Sequence, residues 1–405
     1  MSETGIKDHI WQIGSCKFKF DIITSSRIFQ HHMQQMENRF LNICDDALSN
    51  LTAEEIQQLD RNQYQNIVQK SSTWLTLRSE ADGTASSVGK YIKGPPTYPS
   101  FEDIRTSWEE KKLPFRKTHP MIGHMRWGVG YEDPALVHFA LYNNVNVTQI
   151  GTIRVDLEDI LTIGNELFPE WKIHEKWRNE GLTVEGKHLL ISPDGLVSHD
   201  TSEKYSGMVE IKCISPFHHI ETDVFLEWAM DMEARQWQHA SDIPFVYIVQ
   251  LGLQAISGKL FYNMTDNACM WFVRWSPHGF AQFTISFGHL FKLGVISGLL
   301  YLSQTQKNGS PEAIKHIFPY KGLDRELYLA LRKAYNEVID HMEREYIPID
   351  DYPEFDIYHE CTEHFRFKVE EDQLPKSSSY QGVLPPTLTN IALSSVNTIP
   401  DTCII

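Results

Sequence analysis

The spacing of apolar and polar positions divides the chain into segments of different character. After a short β-like start, Ser26 to Leu41 spaces its aromatic and aliphatic residues for a helix. Thr52-Ala53-Glu54-Glu55 is a capping-box start for a second helix reaching about Lys70. Segment 95–120 is rich in Pro and charge and reads as a loop with one short helix. A helix is expected over about 131–143, a strand near 147–155, an insertion at 156–186, and a hairpin over about 187–214. A helix at 245–257 follows, then strands at Lys259–Met264, Met270–Trp275 and Phe280–Ser286. The helix expected from Asp324 to about Tyr346 puts Leu327, Leu331, Tyr335, Val338 and Met342 on one face. There are no internal repeats.

Two further stretches are decided by hydropathy. Leu290 to Leu302 is the most apolar run, but Lys292, Gly294 and Gly298 interrupt it and its thirteen residues cannot span a bilayer. A buried helix is the reading, with no membrane association. Beyond Asp372 the chain turns Ser/Thr/Pro-rich with few charges, a composition expected to be disordered.

Composition narrows the class. The 405 residues are 41% apolar and 22% charged, enough for a substantial core. A net charge of −16 argues against a generally basic, nucleic-acid-coating surface, though not against a local basic groove. The six cysteines are scattered without a CxxC pair and read as reduced thiols of an intracellular protein. The opening MSETGIKDHIWQIG lacks the apolar core of a signal peptide, and Cys403 stands third from the end, so there is no prenylation box.

Chemistry concentrates in Ser192-Pro193-Asp194-Gly195 and, after a short gap, Glu210-Ile211-Lys212. On a strand, Met208, Glu210 and Lys212 share one face, while Val209, Ile211 and Cys213 share the other and are expected in the core. The acid and the amine then stand roughly 7 Å apart along the strand. Asp194 begins a hairpin whose return strand carries Glu210, so pairing can bring both carboxylates to one metal ion. The ordinary alternative is a surface Glu–Lys pair beside an Asp-Gly turn, and the triplet alone leaves both open.

Flanking helices add two groups. Glu132 lies three, four and seven residues before Ala135, Leu136 and Phe139, so it shares their inward face, where a buried acid needs a cation or a proton. A first-turn Glu favoured by the helix dipole is the plainer reading. Tyr247, Gln250 and Gln254 lie on one side of a later helix. Gln250 can reach a bound water or a phosphate, whereas Gln254 reads equally as part of a solvated polar face.

Taken in order, Arg78, Thr84-Ala85-Ser86, Trp127-Gly128, Tyr131-Glu132, Ser192-Pro193-Asp194-Gly195-Leu196, Glu210-Ile211-Lys212-Cys213 and Tyr247-Ile248-Val249-Gln250 resemble the lambda-exonuclease-like (YqaJ-type viral recombinase) nucleases of the PD-(D/E)XK superfamily. Asn146-Val147-Thr148 is similar to the family's segment between acid helix and hairpin, and the resemblance covers about 71–290. It implies an α/β (α+β) fold: a restriction-endonuclease-like mixed sheet flanked by helices. The divisions are a helical N-terminal extension (1–70), the nuclease domain with late helices (71–346) and a polar, largely disordered tail (347–405).

The resemblance further implies that Asp194, Glu210 and the Ile211 carbonyl bind Mg²⁺, with Glu132 completing the acidic site, two ions acting and Mn²⁺ able to substitute. Lys212 would position or polarise the attacking water beside Gln250. Arg78, Ser86 and Ser192 match the pocket for the DNA 5′-phosphate, where a guanidinium fork and hydroxyls supply bidentate donors. The arginine-to-serine spacing is one residue longer than the family pattern, which leaves Ser87 open as the counterpart of Ser86. Cys213 is followed by Ile214 where the family often has proline. The implied activity is a 5′-to-3′ exonuclease on double-stranded DNA ends in viral or phage recombination, replication or repair. A single-strand annealing partner, a homo-oligomeric ring and a location in host cytoplasm or nucleus are implied with it. An endonuclease on the same fold and a catalytically silent DNA-end-binding protein are the rivals.

Other groupings carry less. His359 and His364 are five apart and do not share a helical face, which speaks against a zinc helix. His218-His219 reads as an ordinary loop position. Gly-rich nucleotide cradles are absent, so no ATP-driven activity is expected. Lys90, Lys93, Lys111, Lys112, Arg116 and Lys117 form the most basic neighbourhood, a DNA-guiding edge or a solvated loop.

Overall fold

The computed structural model describes residues 51–67, 69, 71–92, 132, 135–181, 183–199, 204–214, 237–276, 279–307 and 322–348, together with residue 48 and the strand backbones at 9–13, 16–20 and 357–359. Along the chain run β1 (His9–Ile13), β2 (Cys16–Phe20), α1 (Ala53–Gln57), a 3₁₀ turn (Arg61–Asn66), α2 (Ser72–Glu80), β3 (Gly83–Thr84) and α3 (Ala85–Ile92). Then come α4 (135–142), β4 (Asn146–Thr148), β5 (Ile153–Asp156), α5 (Leu157–Leu167), α6 (Ile173–Asn179), β6 (His188–Ile191), β7 (Gly195–Ser198) and β8 (Gly207–Cys213). The rest are α7 (Phe245–Tyr262), β9 (Cys269–Ser276), β10 (Gly279–Ser286), α8 (Phe287–Lys307), α9 (Gly322–His341), β11 (Glu343–Pro348) and β12 (Ile357–His359).

A six-stranded mixed sheet in the order β11-β10-β9-β8-β7-β4 forms the centre. Only its β8–β9 pair is parallel, so the chain must cross over between those strands, and α7 is part of that crossover. A smaller sheet, β3-β6-β5, stands beside it, and a third joins β1, β2 and β12. This is a mixed α+β architecture of the restriction-endonuclease kind.

Helix α7 is apolar on nearly every side, and Ile248 through Gly258 are all buried, which is where such a helix must lie. It crosses α8 at glycines. A Cβ built on Gly294 would stand 2.1 Å from the Gly252 carbonyl oxygen, so the two backbones touch and side chains are excluded there. Leu290 to Leu302 lies inside α8 as a buried segment, as its hydropathy requires. Among the described residues, no helix is long and apolar enough to cross a membrane.

Several elements depart from the sequence reading. The expected strand at Lys259–Met264 is the last turn of α7: Asn263 caps it in the left-handed region (φ 52°), and the Met264 amide bonds back to the Gly258 carbonyl (3.2 Å). Helix α9 stops at His341, and Glu343–Pro348 pairs antiparallel with β10 instead. There the ladder along an open sheet edge outweighs helical propensity. The strand expected at 147–155 breaks at 149–152 so that β4 and β5 serve different sheets. The 187–214 hairpin is likewise divided, β6 leaving for the small sheet and β7–β8 forming the hairpin. The Thr52 capping box is present, but its helix ends at Gln57 and a 3₁₀ turn follows. The 156–186 insertion contains α5 and α6. The helix expected at Ser26 to Leu41, the 95–120 loop and the chain beyond Asp372 lie outside the described residues, while the 347–405 tail contributes the end of β11 and β12.

Because the α7–α8 crossing is backbone against backbone, Gly294→Ala should destabilise the protein by about 3 kcal/mol, the upper range of overpacking. Equilibrium urea unfolding measures it, and a shift within experimental error would contradict the close crossing.

Candidate active site

The β7–β8 ladder sets the geometry. Gly195 pairs with Val209 and Leu196 with Met208, so one step outward Asp194 faces Glu210. Gly195 is required by contact, since a Cβ there would lie 2.1 Å from a methyl of Val147 on β4. Asp194 Oδ2 accepts a hydrogen bond of 2.6 Å from the Ile211 amide, which fixes the turn carboxylate to the return strand.

Both faces of β8 are covered, so the alternative of a surface Glu–Lys pair does not hold. Met208 and Val209 are fully buried, and Glu210 is 2% exposed. The carboxylate is satisfied from α7 and from its own strand. Gln250 Nε2 donates to Glu210 Oε1 (2.7 Å), and Gln254 Nε2 donates to Oε2 (2.6 Å). Lys212 forms an ion pair with Oε1. The acid and the amine therefore touch rather than stand a strand's 7 Å apart, because both long side chains lean together over Ile211. Gln254 is fully buried, not part of a solvated face. Its spacing of four from Gln250 puts both amides on one side of α7. Lys212 Nζ also lies 5.4 Å from the ring centre of Tyr247, one turn before Gln250.

Charge is unevenly balanced here. Burial, followed by the negative charges of Glu210 and Glu132, holds the Asp194 carboxyl well above the usual carboxylate range, while Lys212 and the Ile211 amide pull it back. Burial works against the charged form of Lys212, but Glu210 and Asp194 outweigh it and push its ammonium above the usual lysine value. Three carboxylates among the described residues stand near one ammonium, and their oxygen donors suit a hard divalent cation. Among the described residues, no three His, Cys, Asp or Glu side chains converge as a ready cage. Glu132 is half-buried on the helical stretch that leads into α4, and it enters the site through its charge on Asp194.

A second cluster adjoins the first. Arg78, in the last turn of α2, stacks 4.4 Å over the ring of Trp74 and reaches Ser86 Oγ at 3.5 Å. Burial lowers the Arg78 pKa to about 10. Ser86 Oγ is also 3.2 Å from Thr84 Oγ1. Ser87 faces elsewhere, accepting from the Thr84 amide (2.9 Å) and donating to the Thr84 carbonyl (3.0 Å), so Ser86 is the hydroxyl beside the guanidinium. Ser192 donates to Thr152 Oγ1 (2.9 Å) and accepts from Trp74 Nε1 (3.3 Å). One tryptophan thus links Arg78 to Ser192, and Ser192 is two residues from Asp194.

Trp74 and Thr152 are site residues that the sequence reading missed, and Gln254, left open there, joins them. Trp74 offered a signal, standing one helical turn before Arg78. Thr152 offered none, because its contacts depend on the break between β4 and β5. Trp127-Gly128, Tyr131, His218-His219, His364 and the basic residues from Lys93 to Lys117 lie outside the described residues.

The raised Asp194 pKa has a consequence for stability. A carboxyl whose folded value is raised binds its proton more tightly than in the unfolded chain. Its contribution is therefore complete below the unfolded value of about 4 and is lost as pH rises through the folded value. In chelator, Asp194→Asn should raise Tm at about pH 8, with the gain vanishing toward about pH 4. An equal or lower Tm for the variant at the higher pH would contradict this electrostatic picture.

No curated protein matches the chain. Residues 73–259 match the YqaJ-like viral recombinase domain. That span includes Arg78, Ser86, Glu132, Ser192, Asp194, Glu210, Lys212, Gln250 and Gln254, the groups gathered in the two clusters. Residues 73–259 of this chain are therefore a YqaJ-like viral recombinase domain, of the kind found in nucleases that act in recombination.

Proposed function

We propose that the protein is a Mg²⁺-dependent exonuclease that hydrolyses double-stranded DNA from 5′-phosphorylated ends during viral or phage recombination. The observation that carries this reading is the adjacency of the two clusters. Ser192, linked to the Arg78 guanidinium through Trp74, and Asp194, opposite Glu210, sit on one turn, so a terminal phosphate held at Arg78 leaves the next phosphodiester near the acidic centre.

Each residue then has a physical task. Arg78 receives the terminal phosphate, with Ser86 and Ser192 adding hydroxyl donors, and Trp74 holds the guanidinium flat. Asp194, Glu210 and the Ile211 carbonyl would hold Mg²⁺, with Glu132 adding charge. When bound, the cation stabilises charge on the attacking and leaving oxygens. Water attacks phosphorus, the bond to the 3′-oxygen of the terminal nucleotide breaks, and the proton of water ends on that leaving oxygen through solvent. Lys212 remains an ammonium beside Glu210. It can orient the water or stabilise phosphate charge as a donor, but it cannot take up the proton. Gln250 and Gln254 keep the Glu210 carboxylate in one orientation. A homo-oligomer and a single-strand annealing partner would extend this activity over long duplexes.

Linear duplexes with 5′-phosphate or 5′-hydroxyl ends, and closed circles, separate the alternatives. Wild type with Mg²⁺ should degrade the 5′-phosphorylated linear duplex fastest and leave circles intact. Glu210→Ala and Asp194→Asn should each lose on the order of 10²–10³-fold in rate. Arg78→Ala should lose mainly the preference for the 5′-phosphate. Cutting of closed circles would favour the endonuclease reading, and a wild type inert with both Mg²⁺ and Mn²⁺ would favour a silent end-binding protein.

A further inference from the structure

Residues 61–69 precede the matched domain, yet they are bonded into its active site. The Gly151 amide donates to the Gln65 carbonyl (2.8 Å), and the Thr152 amide donates to the Tyr64 carbonyl (3.2 Å). Arg61 Nε donates to the Arg154 carbonyl (3.1 Å). The approach is close enough to dictate a glycine, because a Cβ on Gly151 would lie 1.9 Å from the Ile67 carbonyl oxygen. Tyr64 and Ile67 are buried in a cluster with Leu77, Ala81 and Leu190. This segment therefore fills the break between β4 and β5, the place where Thr152 holds Ser192.

Its last described residue reaches further. Gln69 Nε2 donates to the carbonyl of Ile150 (2.9 Å) and to the carbonyl of Pro193 (3.2 Å). Both partners are carbonyl oxygens, so only one orientation of the amide satisfies them. Pro193 lies between Ser192 and Asp194, outside any strand, and its carbonyl has no ladder to join. One side-chain amide thus ties the turn that carries a phosphate-pocket hydroxyl and a metal-site carboxylate to the β4–β5 break.

We infer that Gln69 is a positioning residue for Asp194, and that residues 61–69 belong to the catalytic unit rather than to a separable extension. The inference rests on the nuclease reading for its functional consequence, but the clamp itself is a property of the folded chain and can be measured without substrate. Loss of the two donors frees the Pro193 carbonyl and lets the turn sample other orientations, so Asp194 spends less time opposite Glu210.

The test uses the full chain in three forms: wild type, Gln69→Met (similar length, no donors) and Gln69→Lys (donors kept on a long stem). Hydrogen exchange in chelator reports the clamp directly. Gln69→Met should speed exchange in peptides covering 192–196 and at the Ile211 amide by about 10-fold, with strands β9 and β10 unchanged, and Gln69→Lys should restore protection. Mn²⁺ binding followed by electron paramagnetic resonance should weaken by about 10-fold in Gln69→Met and recover in Gln69→Lys. The loss in cleavage should fall on Mn²⁺ half-saturation more than on the rate at saturating Mn²⁺. Should Gln69→Met not fold, Gln69→Ser, which leaves room for water at both carbonyls, carries the same comparison. Unchanged exchange over 192–196, or faster exchange spread evenly across the domain, overturns the positioning role. A wild type that binds no Mn²⁺ and cuts no DNA would sink the nuclease reading instead, and the exchange data would still decide the clamp.

Discussion

A buried carboxylate organises this molecule. Glu210 is 2% exposed on a central strand, a position that strongly disfavours an unpaired charge. Its two oxygens are met by Gln250, Gln254 and Lys212, and these partners constrain much else. The two glutamines require a helix directly over β8, in a fixed rotation. That helix is α7, apolar elsewhere, and its burial in turn requires the glycine-to-glycine crossing with α8. The parallel β8–β9 pair, with α7 within the connection between its strands, follows from the same need to cover that face.

Electrostatic imbalance is the other side of that arrangement. Burial drives the Asp194 carboxyl upward, and the negative charges of Glu210 and Glu132 add to it, only partly offset by Lys212 and the Ile211 amide. Among the described residues three acids stand near one amine, an arrangement that stability alone does not favour. Sites that handle phosphodiesters accept this imbalance because a divalent cation relieves it. Beside them, Arg78 is half-buried and stacked on Trp74, and in the proposed reading it meets the anionic 5′-phosphate.

The local parts of this site were legible in the sequence. Asp194, Glu210 and Lys212 follow from one hairpin and the period of a strand, and Gln250 from the helix after it. Arg78 and Ser86 came from the ordered motifs, with Ser87 left open. What could not be read were roles created by contacts between distant segments. Gln254 reads equally as site or solvated face, because nothing in its own helix says that β8 lies beneath it. Thr152 and Gln69 matter only because the strand expected at 147–155 breaks, and that break is set by how residues 64–67 pack against Gly151. The β11 strand was hidden for a similar reason: its sequence continues a helical pattern, and only the open edge of β10 makes a strand the better choice.

The most direct test of the central claim is the anomalous difference density of crystals soaked in Mn²⁺. The account predicts a peak between the Asp194 and Glu210 carboxylates, within reach of the Ile211 carbonyl, with Gln250 and Gln254 still holding Glu210. A soaked crystal with no peak there, or a peak bound to other residues while Lys212 stays paired with Glu210, would contradict it.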